Sequence, residues 1–155
     1  MKPIASFTID HDYILPGMYI SRIDEDVITY DLRTRIPNAG DYMDDLTMHS
    51  VEHMIATLIR NSAIASSVLY FGPMGCQTGF YLLVRDRVEP KDVYATLVEV
   101  LADVANQPQM FGADRKACGN YQNLSLDAAK AECARYLVAL RARGADFTYP
   151  KGDAL

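Results

Sequence analysis

Two of the three histidines in this 155-residue chain stand four residues apart, in His49-Ser50-Val51-Glu52-His53. They lie within Thr47 to Ile59, a stretch that reads as one helix. On a helix, side chains four positions apart stand one above the other, so His49 and His53 can offer two ring nitrogens to a single ion while Glu52 projects beside them. This is the H-x-x-E-H arrangement, in which two histidines hold a divalent metal and the glutamate stays free to move protons. The plain alternative is a pair of solvated helix histidines.

The rest of the chain bounds that reading. A length of 155 residues is one domain able to bury a single good core, and 50% hydrophobic with 23% charged residues is a globular balance. The net charge of −5, without clustered Lys and Arg, argues against a nucleic-acid or anionic-lipid surface. Met1 to Phe7 has no apolar core suited to a signal peptide, and no run approaches the ~18 apolar residues of a membrane span, so the expected location is the cytoplasm.

Three cysteines cannot all pair with one another, and a reducing compartment leaves them as thiols. Cys133 sits in an amphipathic helical pattern, Ala128 to Leu137, and belongs to the core. Cys76 and Cys118 sit beside glycines, in Gly72-Pro73-Met74-Gly75-Cys76-Gln77-Thr78-Gly79 and Cys118-Gly119-Asn120, where backbone can approach a ligand closely.

In order, Met18 to Arg22 and Val27 to Arg33 read as a hairpin around Asp24-Glu25-Asp26, and Pro37 to Asp41 breaks the chain before the histidine helix, which runs to about Ser62. Val68 to Phe71 and Phe80 to Val84 are strands bracketing the Cys76 turn. Helices follow from about Lys91 to Asn106, behind Glu89 and Pro90, and from Leu126 to Arg143, capped by Ser125. Residues 107–123 and the tail Ala145 to Pro150 read as irregular. The expected architecture is a single α+β domain over 1–155, two-layered, with a mainly antiparallel sheet packed on long helices.

A catalytic metal commonly has three protein ligands and one open position. Cys118 suits the third place, because a thiolate adds charge neutralisation and affinity to two imidazoles. Glu89, Glu99 and Glu132 are its rivals. A metallopeptidase-like hydrolase would take a glutamate there and use Glu52 to activate water. A structural metal would close its site with a fourth ligand.

His49-Ser50-Val51-Glu52-His53, the block Gly72-Pro73-Met74-Gly75-Cys76-Gln77-Thr78-Gly79-Phe80-Tyr81 and Cys118-Gly119-Asn120 together, in this order, resemble the S-ribosylhomocysteine lyase (LuxS) family. Ser6, His11, Asp31-Leu32-Arg33 with Pro37-Asn38, Ser125-Leu126-Asp127 and Ala129-Lys130 extend the likeness over nearly the whole chain. It implies a homodimer that cleaves the thioether of S-ribosylhomocysteine. The products are homocysteine and 4,5-dihydroxy-2,3-pentanedione, the precursor of autoinducer-2 in quorum sensing. It further implies one divalent metal per subunit, Fe2+ with Zn2+ or Co2+ as substitutes, held by His49, His53 and Cys118. Cys76 and Glu52 would be the proton-transfer residues, Arg33 would touch the ribose part, and Ser6 and His11 would reach in from the partner subunit, with active sites at the interface.

The chemistry fits such residues. Moving a sugar carbonyl along its carbon chain requires proton loss next to carbonyls, which a Lewis-acidic ion favours, and protons that leave and arrive on different carbons want two bases. A cysteine near a cation can serve as thiolate. Arg60, two helical turns beyond His53, could clamp the substrate's carboxylate, or could be an ordinary helix-end arginine, and Tyr81 could contribute from the following strand. Ser6 and His11 flank Phe7 and Ile9, whose alternation suits packing on another chain or an edge strand of the same sheet. Three positions depart from the family pattern: Tyr70 where Asp is common, Gly72 where Ser is usual, and Leu124 where many members have histidine.

Overall fold

Apolar residues alternate with polar ones in Ile28-Thr29-Tyr30-Asp31-Leu32-Arg33, which gives a strand two unlike faces. In the computed structural model, which describes residues 1–151, this segment is β2 (Val27–Arg33) and pairs with β4 (Gly79–Arg85) at the centre of a four-stranded sheet. The outer strands are β1 (Gly17–Asp24) and β3 (Val68–Pro73), giving the order β1-β2-β4-β3 with every pairing antiparallel. Three helices complete the domain: α1 (Asp45–Ile59), α2 (Pro90–Val104) and α3 (Leu126–Arg143). Ile28, Tyr30, Leu32, Phe80, Leu82 and Val84 join one core with Met54, Ile55, Leu97, Val100, Cys133 and Tyr136, so the helices cover a single face of the sheet. The α+β, two-layer expectation therefore holds.

Local chemistry sets the element ends. The Asp44 carboxylate accepts from Thr47 N–H at 2.7 Å to start α1, and the Ser125 hydroxyl accepts from Ala128 N–H at 3.2 Å to start α3, each cap being worth about 1 kcal/mol. Pro90 opens α2, where its missing N–H has no intrahelical partner to lose. Helix α1 ends at Ile59, three residues before the expected Ser62, because Ser62 donates its hydroxyl to Ile59 O at 2.7 Å and turns the chain. The N-terminal segment is not an edge strand: it forms two short 3-10 turns, Ala5–Phe7 and His11–Tyr13. Residues 145–150 contain no helix or strand, yet Ile20 N–H donates to Phe147 O at 2.9 Å and Tyr149 stacks on Tyr19, with ring centroids 4.8 Å apart.

One ion pair ties the layers together. Arg35, just after β2, donates to both oxygens of Glu132 on α3, at 3.0 and 2.6 Å, and Glu132 is 4% exposed. Asp41 bridges Arg35 and Arg135 at the rim. Glu132→Ala leaves Arg35 with Asp41 as its remaining carboxylate but removes two buried charge-assisted bonds that join β2 to α3, so it should lower unfolding free energy by about 2 kcal/mol. Urea titration checks this; a loss under about 1 kcal/mol would mean that the pair behaves as a surface contact.

Candidate active site

Helix α1 buries Val51, Met54 and Ile55 in the core, which turns His49, Glu52 and His53 toward the irregular segment between α2 and α3. That segment brings Cys118 to them. The ligand atoms of His49, His53 and Cys118 all lie within 4.8 Å of one another, with 3.4 Å between Cys118 Sγ and His49 Nε2. A tetrahedral ion with nitrogen and sulfur ligands spaces them about 3.4–3.7 Å apart, a spacing that the Cys118–His49 pair meets.

The outer sides of the ligands are also arranged. His49 Nδ1 is 2.8 Å from Asn123 O and His53 Nδ1 is 2.8 Å from Phe111 O. A carbonyl can only accept, so both rings carry hydrogen on Nδ1 and leave Nε2 for an ion. Asn120 N–H donates to Cys118 Sγ at 3.4 Å, which orients the sulfur. Gly112 has φ +61°, and a Cβ there would come within 3.3 Å of His53 Nδ1, so glycine lets this backbone pass the ring. Ser50, inside the histidine motif, donates to Leu46 O at 2.6 Å and accepts from Ser125 N–H at 2.8 Å, anchoring the start of α3 to α1. Sequence reading passed over Ser50, although its apolar neighbours put it on the buried side.

The glutamates considered as rivals are elsewhere. Glu132 is paired with Arg35, Glu89 is the N-cap of α2, Glu99 lies within α2, and the candidate metal group among the described residues contains only His49, His53 and Cys118. Cys133 is 1% exposed, and burial, helped by the Glu132 charge, pushes its thiol up to about 12, so it is a core residue as expected.

A second cluster surrounds Cys76, in the turn between β3 and β4. Gly79 pairs with Arg33, and a Cβ on Gly79 would meet Leu32 O at 2.6 Å, so only glycine lets the turn lie this close to β2. Gln77 takes φ +65°, a costly conformation held here by Gln77 N–H to Met74 O and Met43 N–H to Gln77 O, both 3.0 Å. Arg33 Nη1 donates to Thr78 Oγ1 at 2.7 Å and lies 3.9 Å from Cys76 Sγ, while Thr78 Oγ1 is 3.1 Å from that sulfur. Thr78 therefore accepts from the guanidinium and shares a hydrogen bond with Cys76 in which either the hydroxyl or the thiol can donate.

Arg33 is only 2% exposed, and its other donors lie on the Asp31 carboxylate at 3.1 and 2.6 Å. Burial opposes its charge, but the Asp31 hydrogen bonds outweigh this and hold the guanidinium above its ordinary value. Within this chain it is held by Asp31 and Thr78 and lies beside Cys76. Arg60 donates to Ala56 O at 3.2 Å and Leu69 O at 3.4 Å, the contacts of a helix-end arginine. Tyr81 is half-buried beside Asp31, its hydroxyl meets Ser6, and burial together with the Asp31 charge raises its pKa. Ser6 and Tyr81 line a cleft of about 380 Å³ on the sheet face away from the helices, with Tyr70. His11 turns its Nδ1 to Ile9 O at 2.9 Å. The Tyr70 ring lies over Gly72 so closely that any side chain at 72 would overlap it, which makes these two departures one coupled change.

The donor set generates a direct test. Cys118→Ala should cut bound divalent metal by at least tenfold after dialysis, measured by elemental analysis; unchanged content would mean that Cys118 is not a ligand.

A family model described as S-Ribosylhomocysteinase (LuxS) matches residues 4–144. An S-ribosylhomocysteine lyase of Borreliella afzelii is 43% identical, over 90% of this chain and 93% of that protein. Proteins of the same name from Clostridium beijerinckii and Phocaeicola vulgatus are 39% and 42% identical, covering 97% and 88% of this chain and 99% and 89% of theirs. This family does not fit the metallopeptidase alternative. With the paired histidines, the glycine-bounded Cys76 turn and Cys118 all inside the matched range, the chain belongs to the S-ribosylhomocysteinase (LuxS) family.

Proposed function

We propose that the protein is an S-ribosylhomocysteine lyase, a carbon–sulfur lyase that splits its substrate into homocysteine and 4,5-dihydroxy-2,3-pentanedione, the autoinducer-2 precursor, in the cytoplasm. The observation that carries this reading is the pairing of a three-ligand group, His49, His53 and Cys118, with a separate thiol that Arg33 and Thr78 hold ready. A peptidase has no use for that second thiol. No helix among the described residues is long and apolar enough to cross a membrane.

His49, His53 and Cys118 would hold one divalent ion per chain, Fe2+ in the cell with Zn2+ or Co2+ as substitutes. When bound, such an ion supplies Lewis acidity toward the substrate's oxygens. The protein's own residues move the protons. Glu52, fixed beside the ligands by its helix, and Cys76, on its turn, remove and return hydrogen at carbons next to the carbonyl, so that the carbonyl travels from C1 to C3. Loss of the C4 proton then expels the sulfur at C5. That sulfur leaves as homocysteine thiolate and takes up a proton. Arg33 acts here by holding Cys76 and meeting the ribose part, Tyr81 supplies a polar group, and Arg60, exposed at the end of α1, is available to the substrate's carboxylate.

The active form proposed is a homodimer with its sites at the interface. Ile4 is 57% and Phe7 76% exposed, leaving the N-terminal turns with uncovered apolar surface suited to a second copy. Such a contact places Ser6 and His11 where a neighbouring site can use them.

Incubation with S-ribosylhomocysteine should release one titratable thiol per substrate, whereas a closed metal site would release none. Glu52→Ala and Cys76→Ala proteins should keep their metal and lose at least ~10²-fold in kcat. Near-normal turnover by metal-loaded Cys76→Ala would remove that residue from the mechanism. For the dimer, mixing inactive Glu52→Ala and His11→Ala proteins under subunit exchange should restore activity, because one composite site then carries neither defect. No recovery despite demonstrated exchange would show that each chain builds its site alone.

A further inference from the structure

The irregular segment after α3 reaches the buried ion pair of the sheet. The Tyr149 hydroxyl donates to Asp31 Oδ2 at 2.9 Å, and its ring lies flat on Tyr19, 13° between planes. Phe147 O, two residues earlier, accepts from Ile20 N–H and pins the segment beside β1. From Asp31 the contacts continue through Arg33, which takes both carboxylate oxygens, to Thr78 Oγ1 and the Cys76 sulfur.

The links from Tyr149 through Asp31 and Arg33 to Thr78 each have a direction. Burial and the Asp31 charge suppress ionisation of Tyr149, which keeps its hydroxyl a donor. A donor on Asp31 satisfies part of a carboxylate charge that would otherwise fall wholly on Arg33, leaving more of the guanidinium's positive potential for the sulfur. It also holds the carboxylate plane, and with it the fork of Arg33. We infer that Tyr149 is a positioning residue for Cys76: acting through Asp31, Arg33 and Thr78, it favours the anionic, reactive form of the Cys76 sulfur. The inference rests on Cys76 being a proton-transfer group. The charged and titratable groups facing this run are Asp31 and Arg33 on β2, Tyr19 on β1, Tyr81 on β4, and Tyr136 and Arg143 on α3.

The test compares Tyr149→Phe, which keeps the stacked ring, with Tyr19→Phe, which removes a hydroxyl that donates to Leu15 O outside the run. Alkylation of Cys76 by iodoacetamide is followed against pH in metal-loaded protein, with the modified peptide quantified by mass spectrometry. In Tyr149→Phe the midpoint should rise by at least about 0.3 pH unit, a twofold loss of anionic sulfur below the midpoint, at unchanged metal content. The acid limb of kcat/KM should move with it, and Tyr19→Phe should move neither. An unmoved alkylation profile in Tyr149→Phe, or an equal movement in Tyr19→Phe, overturns the inference. A shifted alkylation profile with an unmoved kcat/KM limb leaves Tyr149 in place and removes Cys76 from proton transfer.

Discussion

A guanidinium buried in a sheet must find its countercharge within reach, and the outer face of this domain is arranged around that need. Asp31 and Arg33 are two residues apart on β2, hence on the same face, and both are almost fully buried. An isolated charge there would cost several kcal/mol, so the bidentate pairing and the further bonds to Thr78 and Tyr149 are conditions for burying it at all. The partners come from four separate parts of the chain: β2, the β3–β4 turn, the C-terminal segment and, through Tyr81, the N-terminal turns. Cys76 inherits its surroundings from this arrangement, as the one exposed member beside a fully engaged cation.

The metal-ligand group obeys the same rule with carbonyls in place of a carboxylate. Residues 105–125 form no helix or strand, so their order comes from side chains of α1: His49 on Asn123 O, His53 on Phe111 O and Ser50 on Ser125 N–H. These bonds bring Cys118 across and fix both imidazoles in the tautomer that presents Nε2. Loop and ligands therefore depend on one another. A side chain at Gly112 would press on His53, because a Cβ there comes within 3.3 Å of its Nδ1.

Much of this was legible because it is short-ranged. The spacing of His49 and His53, the cap at Ser125, Pro90 at the start of α2, the alternation in β2 and β4 and the burial of Cys133 all follow from periodicity or local hydrogen bonding. Cys118 could be preferred to three glutamates because a thiolate adds charge neutralisation and affinity to two imidazoles. Glu132, by contrast, looked free in sequence and is taken by Arg35, which is distant along the chain. The partners of Arg33 and Arg60 within the chain, Asp31 for one and backbone carbonyls for the other, were likewise not legible in the sequence. An arginine's partners are set by what packs beside it, and no local pattern encodes that.

The chain by itself determined its helices, its strands and its family, and singled out His49, His53 and Cys118, which the fold brings together, since each is written in residue types at characteristic spacing. Tertiary structure alone decided which of its charged groups are spent on one another and which are left for chemistry. It placed Thr78 between Arg33 and Cys76, coupled Tyr70 to Gly72, and laid Tyr149 from an irregular tail against Asp31. The reason is physical: a buried charge takes whichever partner the fold brings within about 3 Å, and that distance is settled by packing between segments far apart in sequence.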